Sequence, residues 1–337
     1  MSTHQPTLLA QALQDFFGNY LPRLRGMSPH TIASYRDSLV LLLRHVARQR
    51  KTTVERFDLP DIDSAGVLQF LEYLEKERHN GATTRNIRLA AIHAFFRYLA
   101  GKHPEYLEQC QRILGIPFKR ARTRAIDYLE YEEIQSLLSS IDQTSLGGAR
   151  DYTLLATLFN TGARVQEIID LRVSDLRLAK PFQLRLFGKG RKERFCPLWP
   201  QTAQLLRLLC KRRELELSAN ERVFVNQRGE PLTRFGVRYL LRKHLERVKA
   251  TVPNLAGKRL HPHCLRHSMA IALLKSGVDL TTISQWLGHA STNTTNRYAS
   301  IDLDLKRKAL SRVKPPRGSR QSSWRKNDDI LAWLGAL

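Results

Sequence analysis

Four short segments carry side chains able to break a phosphodiester: Thr161-Gly162-Ala163-Arg164 followed by Glu167; Gly188-Lys189-Gly190; His263-Cys264-Leu265-Arg266-His267; and Leu287-Gly288-His289 leading to Tyr298. Each alone is weak, since arginines and histidines recur by chance and a tyrosine in a helix more often packs than reacts. Together they cover every role in a metal-free phosphoryl transfer. Charge gathers on the non-bridging oxygens, so catalysis is mostly positioning and electrostatic stabilisation. Two arginines suit this task, because a guanidinium stays charged and grips phosphate through a planar fork. A lysine on a hairpin turn can protonate the leaving alkoxide. A tyrosine hydroxyl, with an ordinary pKa of about 10, needs a base such as histidine before it attacks. Covalent attachment to tyrosine would conserve the broken strand's bond energy for rejoining.

Composition points to the partner for such chemistry. Among 337 residues, 55 Lys and Arg against 31 Asp and Glu leave a net charge of +24. A soluble chain this basic repels itself unless it meets a polyanion, and nucleic acid is the commonest one. Residues 1–120 carry net +6 and the remainder +18, so the closest phosphate contacts are expected in the C-terminal part. At roughly 150 residues per domain the length predicts about two domains, and a 42% hydrophobic content supports a folded core in each. No apolar run approaches the roughly 20 residues of a membrane span. The start, MSTHQPTLLAQALQDFF, lacks the basic and apolar regions of a signal peptide. Cys110, Cys196, Cys210 and Cys264 show no CxxC spacing, which argues against a disulfide framework or a zinc ribbon. A cytoplasmic protein without a membrane partner is expected.

The elements that must position these groups are mostly helical. Residues 7–115 read as four or five amphipathic helices. Leu9, Leu13, Phe16, Phe17 and Tyr20 share one face. Ser28 caps a second helix with Pro29 at its first position, and Ile32, Tyr35, Leu39, Leu42, Leu43 and Val46 form its apolar side. A third follows Asp63-Ser64 with Val67, Leu68, Leu71 and Leu74; a fourth follows Asn80 to Thr83 with Ile87, Ala90, Ala91, Ala94, Phe95 and Leu99. Around 115–127 the composition turns basic, with Lys119, Arg120, Arg122 and Arg124 suggesting an exposed linker lying against DNA or a solvated hinge. Helical patterning resumes at Tyr131 and runs through Tyr152 to Phe159. Gln183–Phe187, a Gly188-Lys189-Gly190 turn and Glu193–Leu198 read as a β-hairpin. Helices are expected again at 201–216, 234–250, 265–275 and 281–286.

The order Arg, Lys, His-x-x-Arg, His, Tyr resembles the tyrosine recombinases, relatives of phage integrases, with a simple two-domain layout like bacterial chromosome-dimer-resolution and transposon-encoded recombinases. Thr161-Gly162-x-Arg164 with Glu167 resembles the family's first arginine box, and Gly188-Lys189-Gly190-x-Lys192-Glu193-Arg194 its hairpin. His261-Pro-His263-x-Leu265-Arg266-His267 resembles the second arginine box. Leu287-Gly288-His289 and Thr294-Thr295-x-x-Tyr298 resemble the last, with nine residues from histidine to tyrosine.

The resemblance implies a mainly α fold: a helical, SAM-like core-binding domain over 1–116, a linker over 117–127, a catalytic domain with a small antiparallel sheet over 128–313, and a tail over 314–337. It implies that Tyr298 attacks the scissile phosphate to form a 3′-phosphotyrosyl bond. Arg164 and Arg266 would clamp the non-bridging oxygens, Lys189 would protonate the 5′-oxygen, His263 would take the tyrosine proton and His289 would hydrogen-bond the phosphate. Glu167 and His267 would orient these groups, and Lys192 is a rival to Lys189. No metal or cofactor is needed. Double-stranded DNA would lie in a C-shaped clamp, four protomers would exchange strands through a Holliday junction, and a partner recombinase or accessory factor is compatible. A bacterial, nucleoid-associated location follows.

Ala163 stands where leucine is commoner, and no arm-binding domain is expected before the first helix. In the tail, Ile330, Leu331, Trp333, Leu334 and Leu337 would form one apolar stripe, docking on a neighbouring protomer or on its own domain. The preferred outcome is DNA integration, excision or transposition of a mobile element, with chromosome or plasmid dimer resolution as the alternative. A zinc enzyme built on His263 and His267 is disfavoured, because the position after His263 is Cys264 and no third carboxylate is placed. A type IB topoisomerase and a non-catalytic DNA-binding regulator are the other rivals.

Overall fold

Two helical units divide the chain between Arg124 and Ala125. The computed structural model describes residues 6–121, 126–188, 192–216, 220–249 and 252–288, with Thr295 and Tyr298. Lys189, His289, the middle of the basic linker and the C-terminal tail lie outside the described residues.

In the first unit, α1 (Leu8–Asp15) runs into a wider, π-helical stretch over Phe16–Leu24. Then come α2 (Pro29–Gln49), α3 (Ser64–Lys76), α4 (Ala82–Lys102) and α5 (Leu107–Leu114). The starts obey the capping chemistry: Ser28 and Asp63 accept from Thr31 N and Gly66 N, and Pro29 takes the first turn, where its missing N–H has no cost. Phe16 packs edge-on against Phe95 at 5.2 Å, and Tyr98 donates to Asp15 at 2.5 Å, which ties the first helix to α4.

Two positions differ from the sequence expectation. Leu68 is 49% exposed and Ile87 is 51% exposed. Leu68 sits one residue off the Val67–Leu71–Leu74 stripe. Ile87 is rotated about 200° from the buried line through Arg85, Leu89, Ile92 and Phe96. The linker's first residues rest on α4: Asn86 bonds both the Lys119 carbonyl and its N–H at 2.7 and 3.0 Å, Arg85 reaches the Pro117 carbonyl at 3.0 Å, and Lys119 pairs with Glu75.

The second unit contains α6 (Tyr131–Ser139), α7 (Leu146–Thr161) and α8 (Val165–Ile169). The strands β1 (Leu176–Arg177), β2 (Gln183–Phe187) and β3 (Glu193–Pro197) follow, then α9 (Pro200–Arg212), α10 (Arg234–Lys249), α11 (Pro262–Lys275) and α12 (Leu280–Leu287). The sheet is antiparallel in the order β1-β2-β3, and the two-residue β1 adds an edge to the expected hairpin. Its register pairs Leu184 with Cys196 and Leu186 with Arg194, so Arg194 shares the inward face with buried leucines while Phe195 faces out. Helix α9 stops short of the expected 216 because Glu214 takes a left-handed conformation (φ 54°). Most of the unit's buried apolar residues join one core, with a smaller cluster around Ile271, Ile283, Leu287 and Tyr298. Among the described residues, no helix is long and apolar enough to cross a membrane.

Candidate active site

The site forms where two helices end and two begin. Helix α7 stops at Gly162, whose left-handed φ of 58° turns the chain sharply. Two residues later, Arg164 precedes the first turn of α8, and Glu167 in that turn accepts from the Arg164 backbone N–H at 2.8 Å. The same carboxylate accepts from the Arg164 guanidinium at 2.8 Å. Helix α11 begins with Pro262, and its 3.6-residue period places His263, Arg266 and His267 on one side. Helix α12 stops at Gly288, again left-handed (φ 63°).

The carbonyls that end α12 are each taken by a different arginine. Arg194 Nε donates to Trp286 O at 3.1 Å, Arg266 Nη2 to Leu287 O at 2.6 Å and Arg164 Nη2 to Gly288 O at 3.2 Å. A helix C-terminus leaves such carbonyls without intrahelical partners and carries partial negative charge, so it attracts cations. Arg266 also donates to Gly162 O at 2.7 Å. It is 1% exposed; burial, then the neighbouring Arg164, pushes its pKa down to about 10, which leaves it charged at neutral pH. Burial opposes ionisation of Glu167, but hydrogen bonds and charge from Arg194 and Arg164 outweigh it and hold the carboxyl below its ordinary range.

Tyr298 is 1% exposed and its hydroxyl lies 2.8 Å from His267 Nδ1. His263 meets the His267 ring edge-on at 5.1 Å. Crowding by protein, then Arg266, His261 and Arg164, push the His263 pKa down to about 4. The residue is nonetheless exposed to solvent, which screens much of that effect. Neutral imidazole is the form a base requires.

Six of the expected residues, Arg164, Glu167, His263, Arg266, His267 and Tyr298, are therefore described, and this unit draws them together. Lys192 is exposed near the base of the hairpin, where its carbonyl accepts from Gly188 N at 2.7 Å. Cys264 is buried with its thiol toward Arg259 O, and among the described residues no three His, Cys, Asp or Glu side chains form a metal-binding group. Sequence reasoning assigned no role to Arg194. Its signal was phase: it occupies an inward position of an alternating strand, where an apolar residue is expected. A second missed feature is α10, whose exposed side carries Phe235 (81% exposed), Arg238, Tyr239, Arg242 and Lys243.

Residues 127–303 match the phage integrase family, and residues 14–103 match the phage integrase N-terminal SAM-like domain. The chain belongs to the phage integrase family and is a tyrosine recombinase. It is 40% identical to a putative integrase/recombinase, y4rC, of Sinorhizobium fredii over 98% of both chains. It is 31% identical to the tyrosine recombinase XerC of Bacillus licheniformis, covering 87% of this chain and 92% of that one. Among solved structures, the XerH site-specific recombinase bound to its difH substrate before cleavage matches with a TM-score of 0.64 and 26% identity, over 89% of this chain and 84% of that one. The Tn1549 transposon integrase in complex with transposon right end DNA shares the fold at a TM-score of 0.66 and 16% identity, over 89% of this chain and 98% of that one.

Proposed function

We propose that the protein cuts and rejoins duplex DNA at a specific site through a 3′-phosphotyrosyl intermediate and a Holliday junction, with no metal or cofactor in the chemistry. The observation that carries this reading is the convergence of Arg164, Arg266, His263 and the His267–Tyr298 pair on the end of α12. Tyr298 Oη attacks phosphorus, its proton passes to His263, and the 5′-oxygen leaves with a proton from Lys189. Arg164 and Arg266 bind the non-bridging oxygens and His289 donates a hydrogen bond to the phosphate. Arg266 has more N–H groups than its two carbonyl bonds use, so those bonds set its plane and leave donors for an oxyanion. Glu167 orients Arg164.

His267 holds the hydroxyl before attack, and Tyr298 leaves that buried berth to reach the phosphate. The arriving phosphodiester brings negative charge beside His263, which raises its proton affinity when a base is required.

In this reading residues 1–116 are a core-binding domain, 117–127 a linker and 128–313 the catalytic domain. The tail 314–337 would dock on a neighbouring protomer in a tetramer spanning two sites. The duplex is the substrate class, as in the DNA-bound XerH and Tn1549 structures, and the basic, aromatic face of α10 supports a DNA contact in the catalytic unit. The cellular outcome is integration, excision or transposition of a mobile element in a bacterial cytoplasm. Chromosome or plasmid dimer resolution would use the same chemistry.

The test is a trapping assay. The full chain and Tyr298→Phe are incubated in EDTA with nicked suicide duplexes carrying the DNA that flanks the gene. A denaturation-resistant adduct that disappears in the variant is expected. An adduct that persists in Tyr298→Phe overturns the nucleophile assignment, and an adduct that EDTA abolishes overturns the metal-free mechanism.

A further inference from the structure

We propose that Arg194 is a positioning residue of the reaction centre, holding Arg164 and the end of α12 in place by sharing the charge of Glu167. The inference rests on the recombinase reading above.

Arg194 enters from β3 on the inward face of the sheet and its side chain is almost fully covered. Its Nη1 and Nη2 fork onto Glu167 Oε1 and Oε2 at 3.1 and 2.7 Å. Its Nε reaches Trp286 O at 3.1 Å. These bonds engage three of its five N–H groups, and with its side chain only 13% exposed the group reaches the chemistry through its neighbours. Glu167 in turn holds Arg164 twice, through the backbone N–H and the guanidinium. One carboxylate thus links the hairpin, the first turn of α8 and, through Arg194, the last turn of α12.

The charge arithmetic gives the arrangement a purpose beyond packing. Arg164, Arg194 and Arg266 against Glu167 leave this cluster at +2, that is three cations less one anion. Without Arg194, Glu167 would neutralise Arg164 alone and the cluster would fall to +1, with less positive potential for a phosphate. The fit is also steric. A Cβ added at Gly288 would lie 3.0 Å from Arg194 Nη1 and 3.1 Å from its Cδ, so the residue before His289 can be glycine and little else while Arg194 stays in place.

The experiment measures the rate of Tyr298-dependent adduct formation on the suicide duplex, with duplex affinity and melting temperature measured in parallel. Arg194→Gln is expected to slow adduct formation about 100-fold, the scale of a small misplacement of catalytic groups. Arg194→Lys, which keeps the charge but loses the fork, should lie in between. The deciding variant is Glu167→Gln combined with Arg194→Gln. If Arg194 acts by sharing the carboxylate's charge, removing that charge makes the double variant about tenfold faster than Arg194→Gln alone, a coupling expected of groups in one network. Should Arg194→Gln melt early, Arg194→Met, which also removes the charge, with and without Glu167→Gln makes the same comparison. A rate within about threefold of wild type for Arg194→Gln, or a double variant no faster than the single, overturns the proposal. A wild-type chain that forms no adduct sinks the recombinase reading itself, a different outcome from either of those.

Discussion

The hydroxyl of Tyr298 lies 2.8 Å from Nδ1 of His267, with the tyrosine ring packed among Ala270, Ile271, Ile283 and Leu287. A phenol held this way is protected from solvent while its hydroxyl stays next to a titratable group. Two histidines of one helix turn thus have different neighbours: His267 faces the phenol, and His263 lies against His267 near Arg266 and Arg164.

Removing the Tyr298 hydroxyl should therefore separate chemistry from stability. Tyr298→Phe keeps the ring in its cluster and loses one hydrogen bond, a net cost of about 1 kcal/mol, while adduct formation disappears. Tyr298→Ala removes the ring as well and should cost about 3–5 kcal/mol. Denaturant unfolding of the two variants checks this. Equal losses would mean that the ring is not packed as described.

Gly162 is the turn between α7 and α8, inside the first arginine box. Its φ of 58° strains any residue with a side chain, and an added Cβ would lie 2.5 Å from Leu287 Cδ2. Gly162→Ala should lose about 2 kcal/mol of stability and slow cleavage, because Arg266 bonds both Gly162 O and Leu287 O. Wild-type stability in this variant would remove the argument.

Acid should weaken the fold partly through His263. Its folded pKa is pushed down to about 4 from 6.5, so the unfolded chain binds the extra proton between those values. Stability from this group is present above the unfolded pKa, is lost as pH falls toward about 4, and rises with pH across that window. Melting curves of wild type and His263→Asn from pH 4 to 7 test it; the variant should show the shallower slope, and parallel curves would exclude His263 as a source.

Helix α10 makes a prediction about salt. If Arg238 and Arg242 each meet a DNA phosphate, Arg238→Ala with Arg242→Ala should weaken binding and reduce the slope of log affinity against log salt by about 2. An unchanged slope would place the duplex elsewhere. Neither residue packs in the core, so stability should change by less than about 0.5 kcal/mol.

Much of the architecture is written in local chemistry. Ser28 with Pro29, and Asp63 before Ser64, start helices because caps act within one turn of the chain. The spacing of His263, Arg266 and His267 puts three functional groups on one helical face, and the alternation through Gln183–Phe187 and Glu193–Pro197 specifies a hairpin. Leu68 and Ile87 mark the limit of that reading, because an apolar residue need not be buried and only the neighbours decide which side of a helix is covered.

Tertiary structure decided the rest. The bonds that join Arg164 to Gly288, Arg194 to Trp286 and Arg266 to Leu287 span 124, 92 and 21 residues of sequence. No local periodicity encodes such pairings. They exist because strand register turns Arg194 inward and because two left-handed glycines bring the ends of α7 and α12 together. The residue types in the four boxes specify which chemistry is available. Which guanidinium meets which carbonyl, and which histidine meets the tyrosine, depends on packing between elements distant in the chain.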